Sequence, residues 1–376
     1  MRVLMLSKAL LVGAYQTKLA AIASHKDIDL LAVVPPSWDD PTGQVLLERA
    51  PADGYRLLVD PIRFNGNFHL HYYPKLKQRL AEFQPDIVHI DEEPYNLATW
   101  RAMRQAQAVG AKTLFFSWQN INRRYPPPFR WWEKQVLTGV DYALMGNSEA
   151  VKVWQAKGYA GPYKIIPQFG TDPDLFSPPP RRDHGRGFII GSANRRLVAE
   201  KGDDLLLRAA AGLPGVWRLH IAGNGPHRPY LEQLAQELGI RERVQFDGAI
   251  PSAQMPGYLG QMNVLVLASR TLPNWKEQFG RVLVEAMACE TAVVGANSGE
   301  IPQVIGDAGL IFPEDDVAAL HAHLLRLMQS ETARDELGRN GRQRVLTHYT
   351  QTQIADQTVA VYRDMLSKAE YTTAHE

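Results

Sequence analysis

Glu277-Gln278-Phe279-Gly280-Arg281-Val282-Leu283-Val284-Glu285, followed by Ala286-Met287-Ala288, sets two carboxylates eight residues apart with Phe279-Gly280 between them. Gly280 permits a tight loop, and 282–289 has the composition of a buried helix. The stretch reads as a loop-to-helix junction, which aims free backbone N–H groups and the positive end of the helix dipole at an anion. Eight residues is a little over two helical turns, so Glu285 points roughly the same way as a residue of the loop. Two solvated glutamates on a structural loop fit the spacing alone equally well.

Working outward, the junction follows an apolar run at 264–267, one of a series. Short runs rich in Val, Ile and Leu at 3–6, 30–34, 86–89, 113–116 and 142–145 alternate with longer helical patterns in the first half. The second half repeats this at 187–190, 218–222, 244–246, 264–267, 292–294 and 310–312. Continuous apolar runs between helices are the signature of strands buried on both faces of a parallel sheet. Each half therefore reads as a doubly wound α/β unit. With 376 residues, two domains are expected. Ser177-Pro178-Pro179-Pro180-Arg181-Arg182-Asp183 is a stiff polar segment of the kind that links them. The expected division is 1–177 and 178–351. A last amphipathic helix over 350–368 repeats Ile354, Val359, Val361, Tyr362 and Leu366 at near-helical spacing.

Two further features lie where doubly wound folds bind ligands. Arg195-Arg196-Leu197-Val198-Ala199-Glu200-Lys201-Gly202 follows the first strand of the second half. Arg196 and Lys201 would grip a diphosphate from two directions, the arginine as a fork and the lysine as a point charge; an exposed basic loop is the plainer reading. Ile221-Ala222-Gly223-Asn224-Gly225-Pro226 is a strand running into a glycine-rich turn, which allows close backbone approach by a flat group. It is not a dinucleotide fingerprint, so an oxidoreductase is not expected.

In order, R-L-x-x-E-K-G, G-x-G-P, E-x-F-G-x-x-x-x-E-A-M-A, S-G-E-I-P-x-V-I (298–305) and D-A-G-L-I-F-P (307–313) resemble family-four glycosyltransferases. The resemblance covers most of 188–349. It extends into the first half through Asn147-Ser148-Glu149 and Gly170-Thr171-Asp172. It implies the GT-B architecture, two facing Rossmann-like domains, with the C-terminal helix (about 352–376) crossing back onto the N-terminal, acceptor-binding domain. It implies a retaining enzyme moving a hexose-type sugar from a UDP- or GDP-linked donor to a glycan, lipid-linked or small-molecule acceptor. By the same resemblance Arg196 and Lys201 bind the diphosphate and Glu277 holds donor-sugar hydroxyls, assisted near Phe279, Gly280 and Arg281. Glu285 binds the ribose, while Gly223, Asn224, Gly225, Gly248 and Ile250 line the nucleotide pocket. A nucleotide-sugar epimerase and a non-catalytic nucleotide-sugar-binding protein of the same fold are the alternatives.

The chain departs from the pattern at Gln278, Glu290 and Arg195, where the family usually has glycine, a small residue and glycine. The family commonly places a histidine after the strand at 113–116; here Phe116-Ser117-Trp118-Gln119-Asn120 puts Gln119 there, able to hydrogen-bond a hydroxyl but not to exchange a proton. On the acceptor side the candidates are Gly13, Asp91, Glu92, Trp118, Asn120 and Arg123. Asp91-Glu92-Glu93 would bind hydroxyls or an amine, or is a solvated helix start; His89 reads as a core histidine. The aromatic and cationic run over 115–134 suits an anionic or lipid-linked acceptor, peripheral membrane contact, a carbohydrate platform, or a helix burying Phe129, Trp132, Val136 and Val140.

Composition narrows the classes further. A net charge of +1 argues against a nucleic-acid binder. The one cysteine, Cys289, forms no intrachain disulfide and fits a reducing compartment, so a cytoplasmic location, with or without contact at the inner membrane face, is expected. The first residues do not read as a signal peptide, and no stretch approaches the ~18–20 apolar residues of a membrane span. Asp27-Ile28-Asp29 and Asp172-Pro173-Asp174 match Asp-x-Asp by letter, one in a turn and one near the linker, and both read as chance. No metal and no cofactor beyond the donor substrate is expected.

Overall fold

The computed structural model describes residues 1–40, 43–50, 53–180 and 187–373, the last six of these without their side chains. Arg181, Arg182 and Asp183 of the proline-rich segment, Lys368 as a side chain, and 374–376 of the expected last helix lie outside the described residues. The chain divides into two compact units, one formed by Met1–Gly170 with Gln351–Glu376 and the other by Thr171–Thr350. The first division thus falls at Gly170, ahead of the prolines.

In the first unit the strands are β1 (Arg2–Leu6), β2 (Asp29–Val34), β3 (Ser37–Asp40), β4 (Gly43–Leu46), β5 (Arg56–Val59), β6 (Ile87–Ile90), β7 (Lys112–Ser117), β8 (Tyr142–Met145) and β9 (Tyr163–Ile165). Seven of them form one parallel sheet in the order β5-β2-β1-β6-β7-β8-β9, and β3 and β4 make a separate antiparallel hairpin. Side chains alternate across the sheet, so Val3 and Met5 join one core cluster and Leu4 and Leu6 the other. Both faces are buried, which is why the central strands read as unbroken apolar runs.

The second unit holds β10 (Phe188–Arg196), β11 (Trp217–Asn224), β12 (Val244–Gly248), β13 (Val264–Leu267), β14 (Ala292–Ala296) and β15 (Leu310–Phe312). Their order is β12-β11-β10-β13-β14-β15, all parallel, so the strand order reverses between β10 and β13. In the first unit the reversal lies between β1 and β6. Both sheets are Rossmann-like, and a ligand crevice is expected outside the carboxyl ends of the strands at each reversal.

The sequence reading differs from the structure at strand ends and edges. β10 and β11 run on to Arg196 and Asn224, beyond their apolar starts. β5, β9 and the β3–β4 hairpin are not among the expected strands: β9 is exposed along its length, and β5 is at best half-buried although it carries Leu57-Leu58-Val59. The last helix spans Gln351–Thr373 and belongs to the first unit. Its Ile354, Val359, Val361 and Tyr362 are buried with Leu19 and Ile22 of the helix Thr17–Ala23. In the helix Phe129–Gly139, Trp132 and Val136 are buried, together with Leu137, while Phe129 and Val140 are half-buried.

Candidate functional site

At the reversal of the second sheet lies a cavity of about 500 Å³. Residues at the end of β10 (Ala193, Asn194, Arg195), β11 (Ala222, Gly223) and β13 (Leu267) open into it. Three consecutive β10 residues reach it because the β10–β11 pairing slips between Ala193 and Arg196, and a bulge re-aims side chains in this way. Ala249, Ile250, Ser252 and Met255 line it as well, together with Lys201, Glu277, Gly280, Arg281, Val282 and Glu285.

The two motifs singled out by spacing meet here. Lys201 Nζ lies 2.6 Å from Glu277 Oε2, which also accepts from Ser269 Oγ at 2.9 Å. The Lys201 ammonium sits 5.1 Å from the centre of the Trp275 ring, a cation–π contact that fixes it further. Glu277 is 9% exposed. Its turn depends on Gly299, at φ +54°, where a Cβ would come within 2.0 Å of the Glu277 carbonyl oxygen. Gly280, at φ +81°, caps the helix Arg281–Ala288, and the first turn of that helix faces the cavity. The loop-to-helix junction expected from the sequence is therefore present, with the amino end of the helix at the cavity wall. Arg281 Nε pairs with Glu285 Oε1 at 2.8 Å. Burial pushes the Glu285 carboxyl above its ordinary pKa, and Arg281 opposes part of that rise.

Other expected donor residues are displaced from the wall. Arg196 is exposed beside Asn224 in the β10–β11 pairing, and its neighbour Arg195 lines the cavity instead. Asn224 Oδ1 lies 3.4 Å from Arg228 Nη1. Gly225 packs against the Leu197 backbone, where a Cβ would approach within 2.3 Å of its carbonyl oxygen. Gly248 lies at the end of β12, and the Phe279 ring meets Tyr349 edge-on at 5.7 Å. Gly223 does line the cavity, and no other residue would fit there, since a Cβ would come within 1.8 Å of the Asn194 carbonyl oxygen. Spacing had not revealed Asn194, Ser252, Met255, Ser269 and Trp275.

The first unit gathers a buried charge network at its own reversal. Glu92, 3% exposed, pairs with Lys8, and His71 Nε2 is 3.5 Å from its Oε1. Burial alone would raise the Glu92 pKa, but Lys8 and His71 outweigh it and hold the carboxyl at about 2. Asp91 Oδ2 accepts from Ser7 Oγ (2.6 Å) and Gln168 Nε2 (2.9 Å), and burial raises its pKa against the pull of Lys18. Glu93 accepts from Ser117 Oγ (2.6 Å) and the Trp118 amide (2.9 Å); burial pushes it up to about 7. Asp91 and Glu92 are thus internal groups, not a solvated helix start. Gln119 is 6% exposed, its Nε2 donating to the Ile121 carbonyl (3.0 Å) and its Oε1 accepting from Tyr125 (3.0 Å). Trp118 Nε1 donates to Gln168 (2.9 Å), Asn120 is buried, and Arg123 is exposed. The Gly13 amide donates to Glu48 at 2.9 Å. His89 is a core histidine, 2.7 Å from Tyr362 Oη.

The carboxylates of the two Asp-x-Asp matches are engaged in other contacts. Asp27 pairs with Arg363 and Asp29 with Arg56, while Asp172 Oδ1 accepts from the Asp174 and Leu175 amides. Among the described residues no helix is long and apolar enough to cross a membrane.

Residues 184–344 match the family of glycosyl transferases group 1. That match lies wholly within the second unit, Thr171–Thr350. Among curated relatives, the MMP alpha-(1->4)-mannosyltransferase of Mycolicibacterium hassiacum is 32% identical over 214 residues, 54% of this chain and 49% of that protein. The GDP-mannose-dependent alpha-(1-6)-phosphatidylinositol monomannoside mannosyltransferase of Mycolicibacterium smegmatis is 31% identical over 197 residues, 48% of this chain and 51% of that protein. The chain thus spans about half the length of the curated relatives it matches. Among solved structures, sucrose-phosphate synthase of Thermosynechococcus elongatus (TM-score 0.70, 21% identity) covers 98% of this chain and 100% of its own. A glycosyltransferase of Rickettsia africae (TM-score 0.74, 16% identity) covers 97% and 98%. The fold is therefore GT-B, two Rossmann-like units in one chain.

Proposed function

We propose that the glycosyltransferase domain holds a nucleoside diphosphate sugar in its cavity and that the chain transfers the hexose-type sugar to a glycan, lipid-linked or small-molecule acceptor with retention of configuration. The observation that carries this reading is the Lys201–Glu277 pair beside the amino end of the helix Arg281–Ala288, in one cavity at the sheet reversal. A lysine, a carboxylate and a helix N-terminus together match a donor with a diphosphate and a polyhydroxylated ring. The GDP-mannose named for one relative agrees with that donor class.

In this reading Lys201 meets the diphosphate, with Arg195 on the wall and Arg196 next to it adding positive charge. Glu277 accepts from sugar hydroxyls, Glu285 from the ribose, and the wall at Ile250 and Met255 receives the base. The C1–O bond to phosphate breaks while the acceptor oxygen bonds C1 on the same face, and the acceptor proton passes to the leaving phosphate oxygen. Charge grows on that phosphate as the bond breaks, so preorganised cations lower the barrier. Gln119, tied on both ends of its amide, supplies no proton. The acceptor is assigned to the first unit, at the reversal between β1 and β6 where Lys8 lies.

A panel of UDP-, GDP-, ADP- and TDP-sugars scored by thermal shift tests the donor. One donor is expected to raise the Tm, with the shift lost in Lys201→Ala and turnover reduced about 10²–10³-fold. No shift with any nucleotide sugar at millimolar concentration overturns the reading. Nucleotide release that occurs only with acceptor present distinguishes transfer from epimerisation or simple binding, and the anomeric configuration of the product by NMR tests retention.

A further inference from the structure

The donor cavity contains one polar side chain whose orientation is fixed from behind. Ser192 and Asn194 are two apart on β10 and point to the same side, toward Asp203, the first residue of the helix Asp203–Ala211. Ser192 Oγ donates to Asp203 Oδ1 at 2.5 Å, and Asn194 Nδ2 lies 3.1 Å from Ser192 Oγ and 3.1 and 3.3 Å from the two Asp203 oxygens. An ionised carboxylate only accepts, so the amide must present its NH2 to Asp203. Asn194 lines the cavity at 4% exposure, and with its nitrogen engaged the carbonyl Oδ1 is what it can offer a ligand.

We propose that Asn194 reads a hydroxyl or N–H group of the bound nucleotide sugar through Oδ1, and that Asp203 is the positioning residue that keeps this oxygen turned toward the cavity. The inference rests on the donor reading of the cavity and deepens it. A phosphate oxygen carries no proton to donate at neutral pH, so the Asn194 wall faces the ribose, the sugar or the base, and the diphosphate belongs to the side of Lys201.

The energetic setting favours a functional role. Asp203 is 2% exposed and its hydrogen-bond partners are both neutral. Burial pushes its pKa up to about 6, against the pull of its two hydrogen bonds and of Lys201 and with a small push from Asp204. A buried carboxylate with no ion pair among the described residues costs stability that an apolar or amide side chain would not. Costs of this kind collect at sites where a ligand has to be oriented.

Calorimetric titration of GDP-mannose and UDP-glucose into the full chain tests this with a double-mutant cycle. Asn194→Ala is expected to weaken the binding nucleotide sugar about tenfold, which is about 1.4 kcal/mol. Asp203→Ala is expected to weaken it by a similar factor, and the double variant no further than Asn194→Ala alone. Asp203→Asn keeps an acceptor oxygen for the Asn194 amide and is expected to retain near-wild-type affinity with a higher Tm. A residue with only a structural role would give the reverse in Tm and effects that multiply in the cycle. Multiplying effects, or an Asp203→Asn variant as weak as Asp203→Ala, overturn the positioning role. Asn194→Ala removes a side chain from the cavity wall and leaves the core intact, so it decides even if Asp203→Ala does not fold: unchanged affinity overturns the inference while the donor reading stands. Wild type that binds no nucleoside diphosphate sugar removes the donor reading, and this inference with it.

Discussion

Single residues carry most of the chemistry, and their environments differ sharply within a few positions. Asp91, Glu92 and Glu93 are consecutive, yet one carboxyl is held at about 2, one is raised, and one is pushed up to about 7. The difference lies in which cation or donor each meets. For Glu93 the folded chain binds a proton more tightly than the unfolded one, whose pKa is the ordinary 4.5. Stability from this group is therefore present below about pH 4.5 and is lost as the pH rises toward about 7. Urea midpoints at pH 5 and pH 8 check this. Glu93→Gln is expected to gain on wild type between the two, and an unchanged difference contradicts the assignment. Lys201 and Glu277 were legible in the sequence because each stands in a motif in the loop that follows a strand, β10 and β13. Asn194 and Asp203 were not. Their contact joins a strand end to the next helix across a tight turn, and neither letter carries a signal until Ser192 stands beside them.

At the level of elements, turns decide where the site residues stand. The turn at Gly299 leads into the helix Ile301–Ile305 and packs directly on the Glu277 carbonyl. Gly299→Ala meets both a left-handed φ and that oxygen, so it is expected to cost at least about 1–3 kcal/mol and to weaken donor binding tenfold or more by shifting Glu277. Chemical denaturation and calorimetry on the same variant read the two effects. The last helix is tied to the first sheet by a different device, the bond between Tyr362 and His89 on β6. His89 is buried, and burial together with Lys18 lowers its pKa well below the ordinary value, so it is neutral. Its Nε2 has no hydrogen-bond partner among the described residues. Tyr362→Phe leaves Nδ1 unpaired as well and is expected to cost about 1–3 kcal/mol in urea unfolding. Central strands such as β1, β6 and β13 were legible because both their faces are buried. β5 and β9 lie at the sheet edges and the β3–β4 hairpin outside the sheet, where the side chains stay largely open to water and the apolar runs are short or absent, Leu57-Leu58-Val59 of β5 being the longest.

For the molecule as a whole, two Rossmann-like sheets place one strand reversal in each unit, and the second is where the cavity forms. The two-unit plan was legible from eleven apolar runs. The exact division was not, because the proline-rich segment advertises a linker while the first unit already ends at Gly170. If protein cations alone offset the charge of the leaving diphosphate, turnover is expected to survive millimolar EDTA within about twofold; loss that magnesium or manganese restores contradicts this. The return of Gln351–Thr373 to the first unit also bears on synthesis. Leu19, Ile22 and Leu30 share their core with Ile354 and Tyr362, which a ribosome makes only after the whole of the second unit. At about 5–20 residues per second, the roughly 180 residues between Thr171 and Thr350 take about 10–40 s. During that interval the first sheet leaves the exit tunnel with one apolar face only partly covered, while the second unit has every residue it needs. The later domain is thus the one that can complete its fold first, and the nascent first unit is the natural client of a holding chaperone.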